Sequence, residues 1–391
     1  MREAGTPRRL AQTNGPDAVF LGDLDCGLKQ SCTRSFHGVY TVYFRCIMYP
    51  TLDAIAPKIS QQTSDDSVIY GHIVDRLYAR FGRRRSGLFT QGWGDEAVLA
   101  RLTSGDVFRP SPVNVALTWD GASGHFSSPL AHALPAEVRT ARVRRVRAAG
   151  APSRTACVIL AGSREEGFAL RESVYGPLVA EGIDLVLLEN PFYGSRRPRG
   201  QDGANLRTVA EHGLMNMAIV AEAHALLEAL RAQGYERLGI AGYSMGGYMA
   251  ALTAVFTDGP LAVAALAAGS SPAPVFTRGG LSRSIDFAAL GAPSRDETAA
   301  RQRLFALFDT ARITQWPAPV HAASTVLLAC RRDGYVPASE THALHAHWPT
   351  SELRWVDAGH ISALFTERRA LRAAIRDAFA RLPIPTRSPA S

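Results

Sequence analysis

The sequence predicts an α/β fold built on an eight-stranded, mostly parallel sheet flanked by helices. The composition is that of a globular protein, with 391 residues of which 46% are hydrophobic. Beyond residue 152, short apolar runs alternate with longer helical stretches, a rhythm typical of parallel sheets. A glycine-flanked serine, Ser244, stands between one such run and the next helical stretch. These observations indicate an open sheet with reactive groups at the carboxyl ends of its strands.

The strands and helices are expected in a regular order. Two strands are predicted between His125 and Arg147, and the parallel part begins at Cys157 to Ala161. Further strands are predicted at 185–188, 238–241, 261–266, 325–329 and 353–356, with helices at about 206–233, directly after Ser244, at 339–347 and at 363–381. The stretch from Ser270 to Pro319 breaks the rhythm, so we expect it to form a cap inserted over the site.

The chain divides into four segments by pattern. Residues 1–47 lack periodicity, and Met48 could serve as an alternative start codon, so we expect this segment to lie outside the fold. Residues 48–122 are predicted to form an N-terminal helical extension, with a weak helical pattern from Ile73 to Phe81. The main domain is predicted at 123–382, with its cap at about 270–319. Residues 383–391 contain three prolines and are expected to form a flexible tail.

The net charge of +8 does not indicate a nucleic-acid-binding protein. Only Lys29 and Lys58 of the 43 basic residues are lysines, which is typical of codon bias, and the arginines are scattered among acidic residues. The run from Arg83 to Arg85 is most simply a solvated helix end. Peripheral contact with an anionic lipid or phosphate is the alternative for this run.

The sequence favours a cytoplasmic protein. The five cysteines are odd in number and lack the spacing of a zinc site, which argues against a disulfide framework and a metal centre. Residues 1–17 contain no apolar stretch of the kind found in a secretory signal. The apolar stretch from Leu214 to Leu230 contains two glutamates and a histidine, so it predicts a buried helix rather than a membrane span.

The segment from Gly242 to Gly247 reads Gly-Tyr-Ser-Met-Gly-Gly and predicts a nucleophile elbow. In such a turn the serine is held in a strained backbone conformation between a strand and a helix. Gly242 and Gly246 meet the need for small residues two positions before and after Ser244, where the strand and helix backbones nearly touch. Tyr243 and Met245 flank the serine, and the Met245 N–H is expected to point at the same spot as its hydroxyl.

A serine hydroxyl needs a general base, and the base needs a carboxylate to orient it. Two candidates lie after predicted strands, Asp333 after 325–329 and His360 after 353–356. The order of serine, acid and histidine fits this arrangement. Asp357 is the alternative acid, but it precedes His360 by three residues in the same loop, so Asp333 is preferred.

The loop after the first parallel strand is expected to supply a second oxyanion donor. Gly162 permits a tight turn there, and the Ser163 N–H is the candidate donor beside that of Met245. Asn190 and Tyr193 follow the next strand and are expected to line the pocket, although a simple turn explains them nearly as well.

Several separated segments resemble the alpha/beta hydrolase domain containing 18 family between about Ile73 and Leu382. The segments that carry the resemblance are 124–132, 160–163, 188–194, 244–247, 275–282 and 359–363. The resemblance implies an α/β-hydrolase fold with Ser244 as nucleophile, Asp333 as acid and His360 as base. It implies no firm substrate, and an acylated lipid is one candidate.

Together these observations predict a serine hydrolase that cleaves a carboxylic ester or thioester, an esterase or lipase-like enzyme, through an acyl-enzyme on Ser244. No metal or organic cofactor is needed for this chemistry. Two alternatives stay open at this point. One is a catalytically silent scaffold that binds a lipid or a protein partner, and the other is an amidase or peptidase.

Overall fold

A computed structural model describes Asp75 and residues 87–148, 153–292 and 294–383. These residues all belong to one compact unit, Ser64–Ser391. The predictions made for residues 1–47, for Met48, for the run from Arg83 to Arg85 and for the tail beyond Pro383 lie outside the described residues. Within the weak helical pattern from Ile73 to Phe81, only Asp75 is described, and its backbone is helical.

The described residues form a nine-stranded sheet with the order β1-β2-β3-β5-β4-β6-β7-β8-β9. Its strands are β1 Thr118–Asp120, β2 Ser123–Ser127, β3 Thr140–Val146, β4 Thr155–Leu160, β5 Asp184–Leu188, β6 Arg237–Tyr243, β7 Ala262–Leu266, β8 Thr325–Cys330 and β9 Glu352–Val356. β1, β2 and β3 pair in antiparallel fashion, and β3 also pairs antiparallel with β5. The neighbours from β5 through β4 to β9 are parallel. The mostly parallel α/β sheet that the sequence predicts is therefore confirmed.

Ten α-helices connect and cover these strands in the described residues. They are α1 Glu96–Leu102, α2 Ala169–Tyr175, α3 Val209–Ala232, α4 Met245–Val255, α5 Ala273–Thr277, α6 Phe287–Gly291, α7 Glu297–Asp309, α8 Ala338–His347, α9 Ala363–Thr366 and α10 Arg368–Ala380. Helices α3 and α4 pack on one face of the sheet, while α10 packs on the other against β6, β7 and β8.

The side chains of β4 alternate between the two faces of the sheet. Ala156, Val158 and Leu160 lie in the apolar cluster on the α3 side. Cys157 and Ile159 point the opposite way, into the cluster on the α10 side. Because both faces of this central strand are buried, its sequence reads as a continuous apolar run.

Two predictions about the elements are wrong in detail. Among the described residues the sheet has nine strands rather than eight, because the three-residue edge strand β1 lies inside the segment predicted as a helical extension. β1 has only three residues, two of them exposed, so its sequence shows no alternation of polar and apolar residues. The predicted helix from Ala363 to Arg381 is two helices, because Glu367 leaves the helical conformation with φ −108° and ψ 19°.

The segment between β7 and β8 is largely helical, and both α5 and α6 pack against α7. It also meets the loop after β8, where the Gly280 N–H donates to the Gly334 carbonyl at 2.8 Å. Val275 and Leu281 pack against Tyr335 and Val336 of the same loop. The inserted segment thus borders one of the loops at the carboxyl edge of the sheet, and its role as a cap stays a prediction.

Helix α3 is long and apolar enough to cross a membrane by length and composition alone, the one such helix among the described residues. However, 78% of its most apolar window is buried inside the protein. It packs against α4 and β4 as a core helix.

Candidate active site

The turn between β6 and α4 holds Ser244 in a strained backbone conformation, with φ 58° and ψ −121°. Close packing of the strand against the helix explains the glycines around it. A Cβ on Gly242 would run into the backbone of Gly246, and a Cβ on Gly246 would lie 2.5 Å from the Leu160 oxygen. The turn from Gly242 to Gly247 thus has the close strand–helix packing that a nucleophile elbow requires. Ser244 is the N-cap of an 11-residue helix, whose positive end favours negative charge nearby.

Ser244, His360 and Asp333 meet at the carboxyl edge of the sheet. The Nε2 atom of His360 lies 2.8 Å from the Ser244 Oγ. The Nδ1 atom of the same ring lies 2.7 Å from the Asp333 Oδ2. The three residues follow β6, β9 and β8, so the parallel sheet brings together side chains that are 116 and 27 residues apart.

The carboxylate of Asp333 determines which nitrogen of His360 holds the proton. An ionised carboxylate only accepts hydrogen bonds, so Nδ1 is the donor and Nε2 is free to accept the hydroxyl proton of Ser244. Burial by itself would lower the pKa of His360. The charge of Asp333, its hydrogen bond to the ring and the charge of Asp75 outweigh burial, so the pKa of His360 is raised above its usual value.

Asp333, rather than Asp357, is the carboxylate that contacts His360. The second oxygen of Asp333 accepts hydrogen bonds from the N–H groups of Tyr335 and Val336, each at 2.8 Å, which fixes the carboxylate. Only 5% of the Asp333 side chain is exposed. The Asp357 side chain is 65% exposed and pairs with Arg332 instead.

His360 is also held through its own backbone and ring. The Tyr243 hydroxyl, which comes from the elbow, donates to the His360 carbonyl at 2.6 Å. The ring of Tyr335 stacks on the imidazole with centroids 5.0 Å apart. Tyr243 was predicted only as a residue beside the nucleophile, and its link to the base loop could not be read from the motif.

The loop after β4 lies beside the elbow because β4 pairs with β6 in register, with Leu160 opposite Gly242. The Gly162 N–H donates to Glu165 Oε2 at 3.0 Å, and Arg171 donates to Oε1 at 2.7 Å. This pairing holds the turn that contains Ser163. Met245 is the first residue of α4, so no carbonyl within the helix accepts a hydrogen bond from its N–H.

Asn190 and Tyr193 lie in the loop after β5 and both face the loop after β4. Burial raises the pKa of Tyr193, while the neighbouring Arg164 and Ser163 act in the opposite direction. The Asn190 amide donates to the Ala161 carbonyl at 3.5 Å. Both residues are buried, and their expected place in the pocket lining stays a prediction.

Two contributions to this site were missed in the sequence. Arg171 is buried and donates to the carbonyls of Ile159 and Leu188, which ties the ends of β4 and β5 together. Asp75 is buried and accepts hydrogen bonds from the loops that contain Asp333 and His360. Neither residue lies in a recognisable motif. Each forms hydrogen bonds with backbone groups that are distant in sequence, and such contacts leave no local pattern. Among the described residues, no cluster of three His, Cys, Asp or Glu side chains could hold a metal ion.

Comparison with known proteins identifies the family. A model of the family described as alpha/beta hydrolase domain containing 18 matches residues 86–304 and 292–381. Solved structures with a similar course of the chain include an acetyl xylan esterase from Paenibacillus sp. R4, with 14% identity, a TM-score of 0.46, and coverage of 73% of this chain and 96% of that one. Acetyl xylan esterase 1 from Thermoanaerobacterium sp. JW/SL YS485 has 15% identity and a TM-score of 0.47, covering 76% and 98% of the two chains. Because the family match spans most of the chain, this protein belongs to the alpha/beta hydrolase domain containing 18 family of α/β hydrolases.

Proposed function

We propose that this protein is a serine hydrolase that cleaves a carboxylic ester or thioester through an acyl-enzyme on Ser244. The observation that carries the proposal is the hydrogen-bonded chain from Asp333 through His360 to Ser244, with contacts of 2.7 and 2.8 Å. The chain ends at the N-terminus of α4, where developing negative charge is favoured. Membership of a hydrolase family supports the same reaction class.

In the acylation step, Ser244 Oγ attacks the carbonyl carbon while His360 Nε2 takes the hydroxyl proton. The N–H groups of Met245 and Ser163 are proposed to stabilise the oxyanion. Collapse of the tetrahedral intermediate breaks the bond to the leaving group, and His360 returns the proton to the departing alkoxide or thiolate. Asp333 keeps the imidazole in the required tautomer and stabilises its positive charge.

Deacylation repeats these steps with water as the nucleophile. His360 removes a proton from water, the resulting hydroxide attacks the acyl carbon, and the same proton returns to Ser244 Oγ. The reaction leaves a free carboxylic acid and the resting enzyme, and every proton transfer passes through one imidazole. No second proton donor or acceptor is required to complete the cycle.

A fluorophosphonate probe tests whether Ser244 is an activated nucleophile. We expect the purified wild-type protein to be labelled, and Ser244→Ala and His360→Ala to lose labelling while they remain folded by circular dichroism. Esters of graded acyl length, including lipid esters, would then define the substrate. Equal labelling of wild type and Ser244→Ala would contradict the proposed nucleophile, and a folded but unlabelled wild type would favour the binding scaffold.

The pH dependence of hydrolysis provides a separate prediction. The base must be neutral, so kcat/KM should fall as His360 becomes protonated. Since Asp333 and Asp75 raise the pKa of His360 above the ordinary 6.5, we expect the acidic limb of the profile to lie above that value. A limb below 6.5 would mean that burial dominates over the two carboxylates.

A further inference from the structure

Asp75 is a buried carboxylate that joins two loops of the candidate site. It is only 2% exposed, although it lies in a segment far from the site in sequence. Its Oδ2 accepts hydrogen bonds from the N–H groups of Gly334 and His360, both at 2.9 Å. Its Oδ1 accepts from the Ile361 N–H at 2.9 Å. One side chain therefore binds the loop after β8 and the loop after β9 at the same time.

These hydrogen bonds lie next to Asp333 and His360, whose side chains must stay within hydrogen-bond distance of each other in the proposed mechanism. Gly334 directly follows Asp333, and the bonded N–H of His360 belongs to the base itself. A Cβ at Gly334 would lie 3.2 Å from both Cβ and Oδ2 of Asp75, so the absence of a side chain allows this close approach. The contact fixes the backbone on both sides of the Asp333–His360 hydrogen bond.

The three hydrogen bonds to Asp75 favour its ionised form. All three hydrogen bonds come from N–H donors, and a carboxylate accepts them on both oxygens. Burial raises the pKa of Asp75 above its ordinary 3.8, while the three N–H donors and the nearby imidazole act in the opposite direction.

We propose that Asp75 is a positioning residue that holds the Asp333 and His360 loops in register for proton transfer from Ser244. This inference rests on the proposed hydrolase function. Asp75 does not touch the reacting atoms, because its two oxygens are occupied by backbone donors. It lies before residue 86, where the family match begins, and it belongs to no motif of the sequence.

The isosteric variant Asp75→Asn tests the proposal. An amide has one acceptor oxygen, so its NH₂ group would face at least one of the three N–H donors. We expect kcat to fall by about 10–100-fold, since small displacements of catalytic groups have effects of this order. KM should remain nearly unchanged, because the side chain is buried behind the loops.

The pH profile separates positioning from a general loss of stability. Tyr243, Tyr335, Asp333 and Asp75 are the titratable groups that the described part of the chain places around the His360 imidazole. Burial raises the pKa of Tyr243, and the two carboxylates are the charged groups that raise the pKa of the imidazole. Removing the charge of Asp75 should lower the pKa of His360, and the acidic limb of kcat/KM should therefore move to lower pH.

Asp184→Asn is the matched control. Asp184 is another buried carboxylate, and it accepts a hydrogen bond from the Tyr235 hydroxyl at 2.7 Å. It begins β5, at the edge of the sheet opposite to the elbow. We expect this variant to lower stability with an unchanged acidic limb and kcat. Wild-type kcat and pH profile in Asp75→Asn would overturn the proposal, as would equal loss of kcat in both variants without a shift of the limb.

Proton NMR of the full-length chain distinguishes failure of this inference from failure of the proposed function. The titration of the His360 ring can be followed without turnover, in wild type and in Asp75→Asn. A lower pKa of His360 in the variant, with faster exchange of the Gly334 and Ile361 amides, would support the positioning role even if no ester were cleaved. Unchanged titration and exchange would overturn it even if the wild type proved to be an esterase.

Discussion

Asp333→Asn is expected to lower kcat by about 10⁴-fold while leaving the fold intact. In the variant, the amide oxygen can still accept from the N–H groups of Tyr335 and Val336, as Oδ1 does in the wild type. The NH₂ group then faces Nδ1 of His360 and donates to it. This forces the ring proton onto Nε2, where the ring can no longer accept the proton of Ser244. Steady-state hydrolysis of the best ester found by screening would measure the effect.

Asp357→Asn is the matched control for this prediction. This variant removes the charge of Asp357, the alternative acid in the sequence analysis. The Asp357 side chain is exposed and pairs with Arg332. We expect its kcat and its acidic limb to match those of the wild type. A large loss of kcat in Asp357→Asn, with little loss in Asp333→Asn, would reverse the assignment of the acid.

Glu222→Ala is expected to lower the free energy of unfolding by about 3–5 kcal/mol. Glu222 on α3 and Arg196 form an ion pair with both side chains 0% exposed, and the two bonds measure 2.6 and 2.7 Å. Arg196 also donates to the carbonyls of Val138 and Glu189. Loss of the glutamate would leave a buried guanidinium charge with neutral partners alone. Denaturant unfolding monitored by circular dichroism would measure the change.

An exposed pair on the same helix provides the control. Glu228 pairs with Arg231 one turn away, and about two fifths of each side chain is exposed. Surface pairs of this kind contribute roughly 0–1 kcal/mol, so Glu228→Ala should hardly change the free energy of unfolding. If both variants lost the same small amount of stability, the buried Arg196 guanidinium would not need the charge of Glu222.

Much of the fold was predictable because the central strands are buried on both faces. Runs such as Cys157 to Ala161 read as apolar throughout, and the helices between them fix the parallel arrangement. β1 escaped prediction because an edge strand of three residues has no periodicity to detect. The break in the C-terminal helix at Glu367 depends on backbone geometry after the His360 loop rather than on a helix-breaking residue.

The central residues of the candidate site were predictable for a different reason. Ser244 lies in a local motif, and strand ends determine where Asp333 and His360 fall in the sheet. Contacts between a side chain and backbone groups that are distant in sequence produce neither a local motif nor a position at a strand end. Asp75, Arg171 and Tyr243 each hold a loop of the site in this way. Their partners are defined only once the chain has folded.

The hydrogen bonds of Asp75 also bear on when the site can form during protein synthesis. They join residues that are 259 and 286 positions apart, so Asp75 leaves the ribosome long before Gly334 and Ile361 do. Chains fold broadly from the N-terminus as they emerge, and contacts between distant residues form late. The early strands can therefore pair while the carboxylate of Asp75 still binds water. The geometry of the candidate site can be completed only after Ile361 has emerged.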